Sequence, residues 1–362
     1  MTVRVVSIPL ELKPLLRISP SRYSALQACA LREIWAAGQQ QPLLPNSPSA
    51  RLGMIIHKLL QLAFSGKLID ENSMLNHWDE EERNQEQQMQ INSLEKHLIP
   101  ISNYSNNYKT KQSMTFNMIR PLIIKNQKHM YTTLKSQTEL WVQTVDAKVG
   151  GRIDLVRHND EGVTICDYKS GEIIDSELTG DIIKKEYQNQ LKIYAALYYL
   201  SNNIWPDRLL LIGLNQDEYE VPFVKEECLI LVEKAKEYLN ELNERILSGK
   251  REDTFACPSP ENCKFCQYRP ACVRYWGSKQ DQNGWPTDFE GTVVMKNFLG
   301  NGLLKVALKN DDVDIIIRGL SPERYPFLND GFIEVMFCNL QKETVQGCFK
   351  ETHLTTGYGL YS

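Results

Sequence analysis

The chain shows its clearest pattern where apolar and polar residues alternate between positions 138 and 170. The segment TELWVQTVD, positions 138–146, alternates as a half-buried strand does, and Gly150 and Gly151 predict a turn into a second strand, RIDLVRH. Positions 159–162 predict another turn, and VTICDYKS then gives a third strand. The pattern therefore predicts a three-stranded meander.

Helical periodicity flanks this meander on both sides. Upstream, RLGMIIHKLLQLAF has helical spacing, and downstream EYQNQLKIYAALYYL begins a helix in which Gln190 and Tyr194, four positions apart, share one face. Near the start of the chain, SPSRYSALQACALREIW predicts a helix that Ser19 caps, with Pro20 at its first position and Cys29 within it. Strands flanked by helices indicate an α/β fold.

Beyond position 276 the pattern changes to short strands. Positions 277–288 are polar and rich in turn formers, which predicts a linker. The runs that follow are TVVMKNFL, LLKVALKN, VDIIIRGL, FIEVMFCNL and a last one near GCFKETHL, with SPERYPFL as a short helix after the third. This is the strand order of the OB fold, so we predict a small OB-like β-barrel at 289–362. Such barrels commonly bind single strands of nucleic acid. An equal alternative is that this barrel is a docking module for a partner protein.

Charged residues on the predicted meander point to phosphate chemistry. Asp154 lies on the second strand, and Asp167 and Lys169 on the third project from one face because they are two residues apart. Two carboxylates can hold a divalent cation against a scissile phosphate, and a lysine can steady the attacking water and the charge that builds on phosphorus. These residues suit a metal-dependent phosphodiester hydrolase. Glu139 on the first strand is either a fourth acidic contributor or a strand-end carboxylate without a role.

The cysteines give a second chemical signal. Cys263-x2-Cys266-x5-Cys272 brings three thiols together, and a remote Cys29 or the nearer Cys257 supplies a fourth. Four thiolates suit a tetrahedral zinc as well as a cubane iron–sulfur cluster. We interpret the remaining four cysteines as small core residues; they are Cys166, Cys228, Cys338 and Cys348.

Composition and charge narrow the class of protein. The chain has 362 residues, nine of them cysteines without the paired spacing of a secreted disulfide scaffold. No stretch approaches the ~18 apolar residues that a membrane span needs, so we expect a soluble, cytoplasmic protein. The chain also lacks a Gly-x4-Gly-Lys-Ser/Thr phosphate loop.

The formal charge of −4 hides a strong local asymmetry. No Asp or Glu occurs between Lys96 and Thr138, where the basic residues are Lys96, Lys109, Lys111, Arg120, Lys125, Lys128 and Lys135. This segment lies between the predicted helix RLGMIIHKLLQLAF and the meander. It predicts an inserted helical arm that follows a phosphate backbone, with a solvated polar insertion as an equal alternative.

Together these motifs resemble the PD-(D/E)XK nuclease superfamily, and within it the branch that contains the RecB and AddB nuclease domains and the CRISPR-associated adaptation exonuclease. His57, four positions after Gly53, matches the helix motif that presents one metal ligand in this branch. Gln190 and Tyr194 match its Gln-x-x-x-Tyr motif. The spacing of Cys29 from the C-terminal cysteines matches the branch's iron–sulfur arrangement, although relatives commonly have Pro where this chain has Ala30.

The resemblance implies a restriction-endonuclease-like αβββαβ core with a helical insertion and an iron–sulfur clamp, at residues 1–276. The residues it implies for Mg²⁺ or Mn²⁺ are His57, Asp154, Asp167 and the Tyr168 carbonyl. Lys169 would assist the attacking water, and Gln190 and Tyr194 would orient the strand. The residues it implies for a 4Fe-4S cluster are Cys29, Cys263, Cys266 and Cys272.

The function expected from these features is a Mg/Mn-dependent deoxyribonuclease, acting as an exonuclease, an endonuclease or both. The expected substrate is single-stranded DNA, in repair, recombination or defence, with a separate helicase subunit as a candidate partner. Two alternatives stay open. One is a non-catalytic DNA-binding scaffold subunit of a helicase–nuclease complex, and the other is a zinc-stabilised RNA-processing factor.

Overall fold

The computed structural model of the protein describes residues 10–128, 136–160, 162–175, 182–279, 284–310, 313–329, 331 and 333–360. The α-helices in these ranges are α1 (Pro20–Ala28), α2 (Ala30–Ala37), α3 (Pro48–Phe64), α4 (Glu71–Ile91), α5 (Ile101–Tyr104), α6 (Tyr108–Lys128), α7 (Lys185–Asn202), α8 (Lys225–Leu247), α9 (Pro260–Lys264) and α10 (Val273–Ser278). Short 3-10 helices lie at Lys96–Leu98, Glu252–Phe255, Arg269–Ala271 and Pro326–Leu328.

The strands within the described residues form two separate sheets. The strands are β1 (Gln137–Gln143), β2 (Gly150–Asn159), β3 (Gly162–Lys169), β4 (Arg208–Gly213), β5 (Glu218–Glu220), β6 (Phe289–Phe298), β7 (Leu304–Asn310), β8 (Val313–Leu320), β9 (Glu334–Cys338), β10 (Gln341–Lys342), β11 (Cys348–Lys350) and β12 (Thr356–Leu360). The first sheet has the order β1-β2-β3-β4-β5, and the second has the order β10-β11-β8-β7-β6-β9-β12.

The first sheet contains the predicted meander. Strands β1, β2 and β3 pair antiparallel, and β3 pairs parallel with β4 after the crossover through α7. The order α3, β1–β3, α7, β4 is consistent with a restriction-endonuclease-like core. Apolar residues cover both faces of the sheet, one face against α1, α2, α7 and α8 and the other against α3, α4 and α6.

Two local predictions were wrong. Gly150 and Gly151 belong to β2, and the turn lies before them, where Ala147 has a φ of +55°. Both positions need glycine because of close packing. A Cβ on Gly150 would meet the Gln143 Cβ at 2.7 Å. Cys29 is not inside a helix, since it occupies the break between α1 and α2 with a φ of −154°.

The predicted helical insertion is present as α4, α5 and α6. It packs onto α3, with Trp78 fully buried and its Nε1 donating to the Tyr108 Oη at 2.8 Å. Of the basic residues predicted there, Arg120 pairs with Glu71 at 2.7 Å, which neutralises one positive charge. The side chains at 125 and 128, and residue 135 as a whole, fall outside the described residues, so the predicted phosphate contacts of this arm remain a prediction.

The second sheet follows the predicted strand pattern with additions. Strands β6, β7, β8, β9 and β11 occupy the predicted runs, and the short helix is the 3-10 turn Pro326–Leu328. The structure adds β10 and β12. Strand β8 pairs parallel with β11. Strand β10, which is separated from β9 by two residues, pairs with β11 at the other end of the sheet. No helix within the described ranges is long and apolar enough to span a membrane.

Candidate active site

The predicted catalytic residues converge at one end of the first sheet. Asp167 and Lys169 point from β3 toward α7, while Tyr168 between them points to the opposite face, where its ring stacks on Phe64 at 5.0 Å. This alternation is the two-residue period of a strand. Asp154 reaches the same cavity from β2. The sheet therefore carries the carboxylates and the lysine on one surface.

Lys169 is held by two partners. Its Nζ lies 2.7 Å from the Asp167 Oδ2 and donates to the Gln190 Oε1 at 3.0 Å. The Gln190 Nε2 in turn donates to the Asp167 Oδ1 at 2.7 Å, which closes a three-residue ring of contacts. The Tyr187 ring lies 4.4 Å from the same ammonium group and adds a cation–π contact. The lysine is thus fixed in position beside the carboxylate.

Asp154 links β2 to β3 and to α3. Its Oδ2 accepts the Tyr168 backbone N–H at 2.9 Å and lies 3.9 Å from the His57 Nδ1. Burial, and then the charge of Asp167, raise the pKa of Asp154 to about 8. Burial also lowers the pKa of His57, which favours the neutral imidazole that binds metals. Burial therefore favours the neutral form of both Asp154 and His57.

Tyr194 is held against the backbone of β2. A Cβ on Gly151 would meet the Tyr194 Oη at 3.1 Å and the Pro20 Cδ at 2.8 Å, so only glycine leaves room for both. Burial and the neighbouring carboxylates raise the pKa of Tyr194. Tyr198, one turn further along α7, is buried in the core as expected.

Glu139 lies outside the cavity lining but close to it. The pairing of Thr138 with Leu155 and of Leu140 with Ile153 places Glu139 across from Asp154. Its φ is +53°, a conformation that is strained for a non-glycine residue and is often found beside functional sites. Its carboxylate also raises the pKa of Asp154, although it is not the largest cause.

The cavity holds about 420 Å³ and is open to solvent. Seven of its lining residues were not predicted for the site, and they are Arg17, Ser19, Ser21, Trp141, Gly150, Gly151 and Arg152. Arg152 could have been found, because it is two residues from Asp154 on the same strand. Trp141 pairs with Arg152 across β1 and β2, so finding it required the strand register. Ser19 precedes α1 as predicted, but its side chain makes no capping hydrogen bond.

A second cavity, of about 20 Å³, is lined by four cysteines, namely Cys29, Cys263, Cys266 and Cys272. Burial is the main cause that raises the pKa of the Cys263 and Cys272 thiols to about 12 and of Cys266 to about 11, and the nearby Cys29 contributes to each. Cys257 is exposed and lies outside the lining, although its backbone N–H donates to the Cys29 Sγ at 3.5 Å.

Segments far apart in sequence close this cysteine cavity. The Asn262 side-chain amide donates to the carbonyls of Ala28 at 3.0 Å and Cys257 at 2.8 Å. Arg32 donates to the Asn262 carbonyl at 3.1 Å. Among the described residues, neither cavity has three His, Cys, Asp or Glu side chains already arranged to bind a metal ion.

Comparison with known proteins identifies the family. A profile of the PD-(D/E)XK nuclease superfamily matches residues 17–273, more than half of the chain. A solved structure from Eubacterium rectale, described as a "putative exonuclease", is similar at 11% identity and a TM-score of 0.39, over 74% of this chain and 90% of that one. None of the curated proteins matches the chain. From the extent of the profile match, the chain belongs to the PD-(D/E)XK nuclease superfamily.

Proposed function

We propose that this nuclease is a divalent-metal-dependent enzyme that hydrolyses phosphodiester bonds of single-stranded DNA. One observation carries the proposal. Asp154, Asp167, Lys169 and His57 line a single open cavity, and the lysine is fixed beside a carboxylate. This combination supports metal-assisted attack of water on a phosphodiester. The cavity is open to solvent, so these groups are accessible to a substrate.

The donor set fits Mg²⁺ or Mn²⁺. The Asp167 Oδ2 is buried, and its close polar contact among the described residues is the Lys169 ammonium at 2.7 Å, which leaves a lone pair for a cation. Burial, and then the charge of Asp167, raise the pKa of Asp154 to about 8, and a bound cation would offset both effects. His57, Asp154, Asp167 and the Tyr168 carbonyl would hold the ion. When bound, such an ion polarises the phosphate and lowers the pKa of attacking water.

The remaining chemistry falls to residues that the structure already positions. Lys169 would donate a hydrogen bond to the attacking water or to a phosphate oxygen. Gln190 keeps it in place, because this amide contacts both the Lys169 ammonium and the Asp167 carboxylate. Tyr194 holds the start of α1 and β2 together at the cavity wall. A fixed donor costs no reorganisation as charge develops on phosphorus.

We further propose that the cysteine cavity binds a 4Fe-4S cluster and that the chain lies on the RecB, AddB and CRISPR-adaptation branch. The donor set supports this, since four thiols from both ends of the nuclease region line one cavity. Cys29 is favoured over Cys257 as the fourth ligand, because Cys257 lies outside the lining. Zinc remains the alternative, and a colourless protein that contains zinc and little iron would establish it.

The second sheet is proposed to be an OB-type barrel. One supporting feature is the parallel pairing of β8 with β11. Another is that β9 pairs with β6 while β10, which follows β9 closely in the chain, pairs with β11. The function of this sheet within the proposal is to bind the substrate strand or a helicase subunit. Repair, recombination and defence are all compatible with the site.

A cleavage assay tests the proposed function. Wild type should cut labelled single-stranded DNA with Mg²⁺ or Mn²⁺, lose activity with EDTA, and regain it when metal is restored. Asp167→Asn and Lys169→Ala should each abolish cleavage while the circular dichroism spectrum stays unchanged. Asp217→Asn, in the exposed turn between β4 and β5, is the matched control and should cut normally. Robust cleavage by the Asp167→Asn protein would contradict the proposal. A preference for RNA would contradict the assignment of DNA as the substrate.

A further inference from the structure

A half-exposed tryptophan stands at the wall of the catalytic cavity. Trp141 is 44% exposed on β1, the edge strand of its sheet, and lines the same cavity as Asp154 and Lys169. Its ring nitrogen is already satisfied, because Nε1 donates to the Gln143 Oε1 at 3.0 Å. The exposed part of the residue is therefore available for contact with a planar, apolar group.

Positive charge surrounds this ring. The Arg17 guanidinium lies over it, 5.1 Å from the centroid, and Arg152 is its direct partner across β1 and β2. Arg17 is held there by its neighbour Ile18, whose N–H donates to the Lys148 carbonyl at 2.9 Å and whose carbonyl accepts from Gly150 at 3.1 Å. Glu139 offsets part of the charge, since its carboxylate lies 3.9 Å from Arg152. An aromatic face beside two arginines matches the chemistry of a nucleotide.

The residues expected to orient the strand have little surface left for it. Gln190 is 6% exposed and its amide is used by Asp167 and Lys169. Tyr194 is 4% exposed and is packed against Gly151. Direct contact with a base must therefore come from elsewhere on the cavity wall, and of the two aromatic residues that line the described cavity, Trp141 is the one that is substantially exposed.

We propose that Trp141 is a stacking platform for one unpaired nucleobase next to the scissile phosphate, with Arg17 and Arg152 contacting the adjoining phosphates. The inference rests on the proposed function and deepens it, because it explains how the site would select single strands. A base in a duplex is stacked on its neighbours and cannot offer a free face. Stacking on an aromatic side chain tolerates any base, so the platform would select strandedness and not sequence. Arg17 would move from the ring to the phosphate as the base enters.

Kinetics on matched variants tests the platform. Trp141→Ala should raise KM for oligo-dT by roughly 5- to 100-fold with kcat little changed, because stacking contributes binding energy that is present before the transition state. Trp141→Phe should rescue most of this loss, since it keeps an aromatic face. An abasic site at the position next to the cut should raise the wild-type KM similarly and have no further effect in Trp141→Ala. Leu247→Ala removes an exposed apolar side chain at the end of α8, away from the cavity, and is the control.

Binding measured without cleavage separates this inference from the proposed function. Fluorescence anisotropy of labelled oligo-dT on the Asp167→Asn protein gives Kd with and without Trp141→Ala. A wild type that cuts DNA but shows the same KM with Trp141→Ala would overturn the platform alone. A wild type that binds strands but cuts none would overturn the catalysis, and the Kd of the Trp141→Ala protein would still decide the platform. A wild type that neither binds nor cuts would overturn both.

Discussion

The buried ion pair between Arg269 and Asp288 should control how the cysteine segment joins the second sheet. Arg269 Nε lies 2.6 Å from the Asp288 Oδ2, and its Nη2 donates to Asp288 Oδ1 at 3.2 Å and to the Asn339 Oδ1 at 2.6 Å. Its Nη1 reaches the carbonyls of Cys263 and Cys266 at 3.4 Å and 3.3 Å. One guanidinium therefore contacts the cysteine segment, the end of the predicted linker and the second sheet.

Replacing Arg269 with methionine would leave a charged carboxylate buried without its partner. The two side chains are 2% and 0% exposed, so water cannot compensate. Burial opposes the charge of Arg269, and the Asp288 carboxylate outweighs that effect and raises the pKa of Arg269. Removing one member of such a pair costs about 3 to 5 kcal/mol. Asp288 would keep its hydrogen bonds from Tyr275 and the Asn339 backbone, which favours the lower half of this range.

Urea denaturation, monitored by circular dichroism and tryptophan fluorescence, measures the lost free energy of unfolding. This loss is calculated from the shift of the midpoint at a constant m value. Arg120→Met is the matched control, because Arg120 pairs with Glu71 at 2.7 Å but on the surface, where pairs contribute about 0 to 1 kcal/mol. Adding Asp288→Asn to Arg269→Met should recover about 1 to 3 kcal/mol by removing the stranded charge. Equal losses in Arg269→Met and the control, or strictly additive losses in the double variant, would refute the reasoning.

Three further predictions address the two cavities and the strand beside them. Because the pKa of Asp154 is raised to about 8, a metal ion must displace its proton. The metal concentration for half-maximal activity should therefore fall as pH rises from about 6 to about 9. A metal concentration for half-maximal activity that stays constant over this range would contradict the prediction. Cys29→Ala should give a pale, protease-sensitive protein with little iron, whereas Cys257→Ala should keep the colour of wild type; the reverse result would reassign the fourth ligand. Gly151→Ala would place a Cβ 2.8 Å from α1 and should lower the free energy of unfolding by about 1 to 3 kcal/mol, whereas Gly277→Ala, which meets nothing within 4 Å, should not.

Local spacing in the sequence determined which residues could act together. The two-residue period of a strand placed Asp167 and Lys169 on one face, and the four-residue spacing of a helix did the same for Gln190 and Tyr194. Both pairs line the cavity. These inferences hold because backbone geometry fixes the direction of neighbouring side chains whatever the rest of the chain does. The crossover between β3 and β4 was expected only from the family resemblance, which implied an αβββαβ core.

Only the tertiary structure decided which distant residues meet. The cysteine cavity includes Cys29 and not Cys257, because the break between α1 and α2 lies against the C-terminal cysteines. Trp141 joins the cavity through the register of β1 on β2, and Arg17 reaches it through the bridge between Ile18 and Val149. Gly150 and Gly151 suggested a turn, but close packing of neighbouring segments put them in a strand. Such contacts depend on the packing of segments far apart in the chain, which local periodicity does not encode.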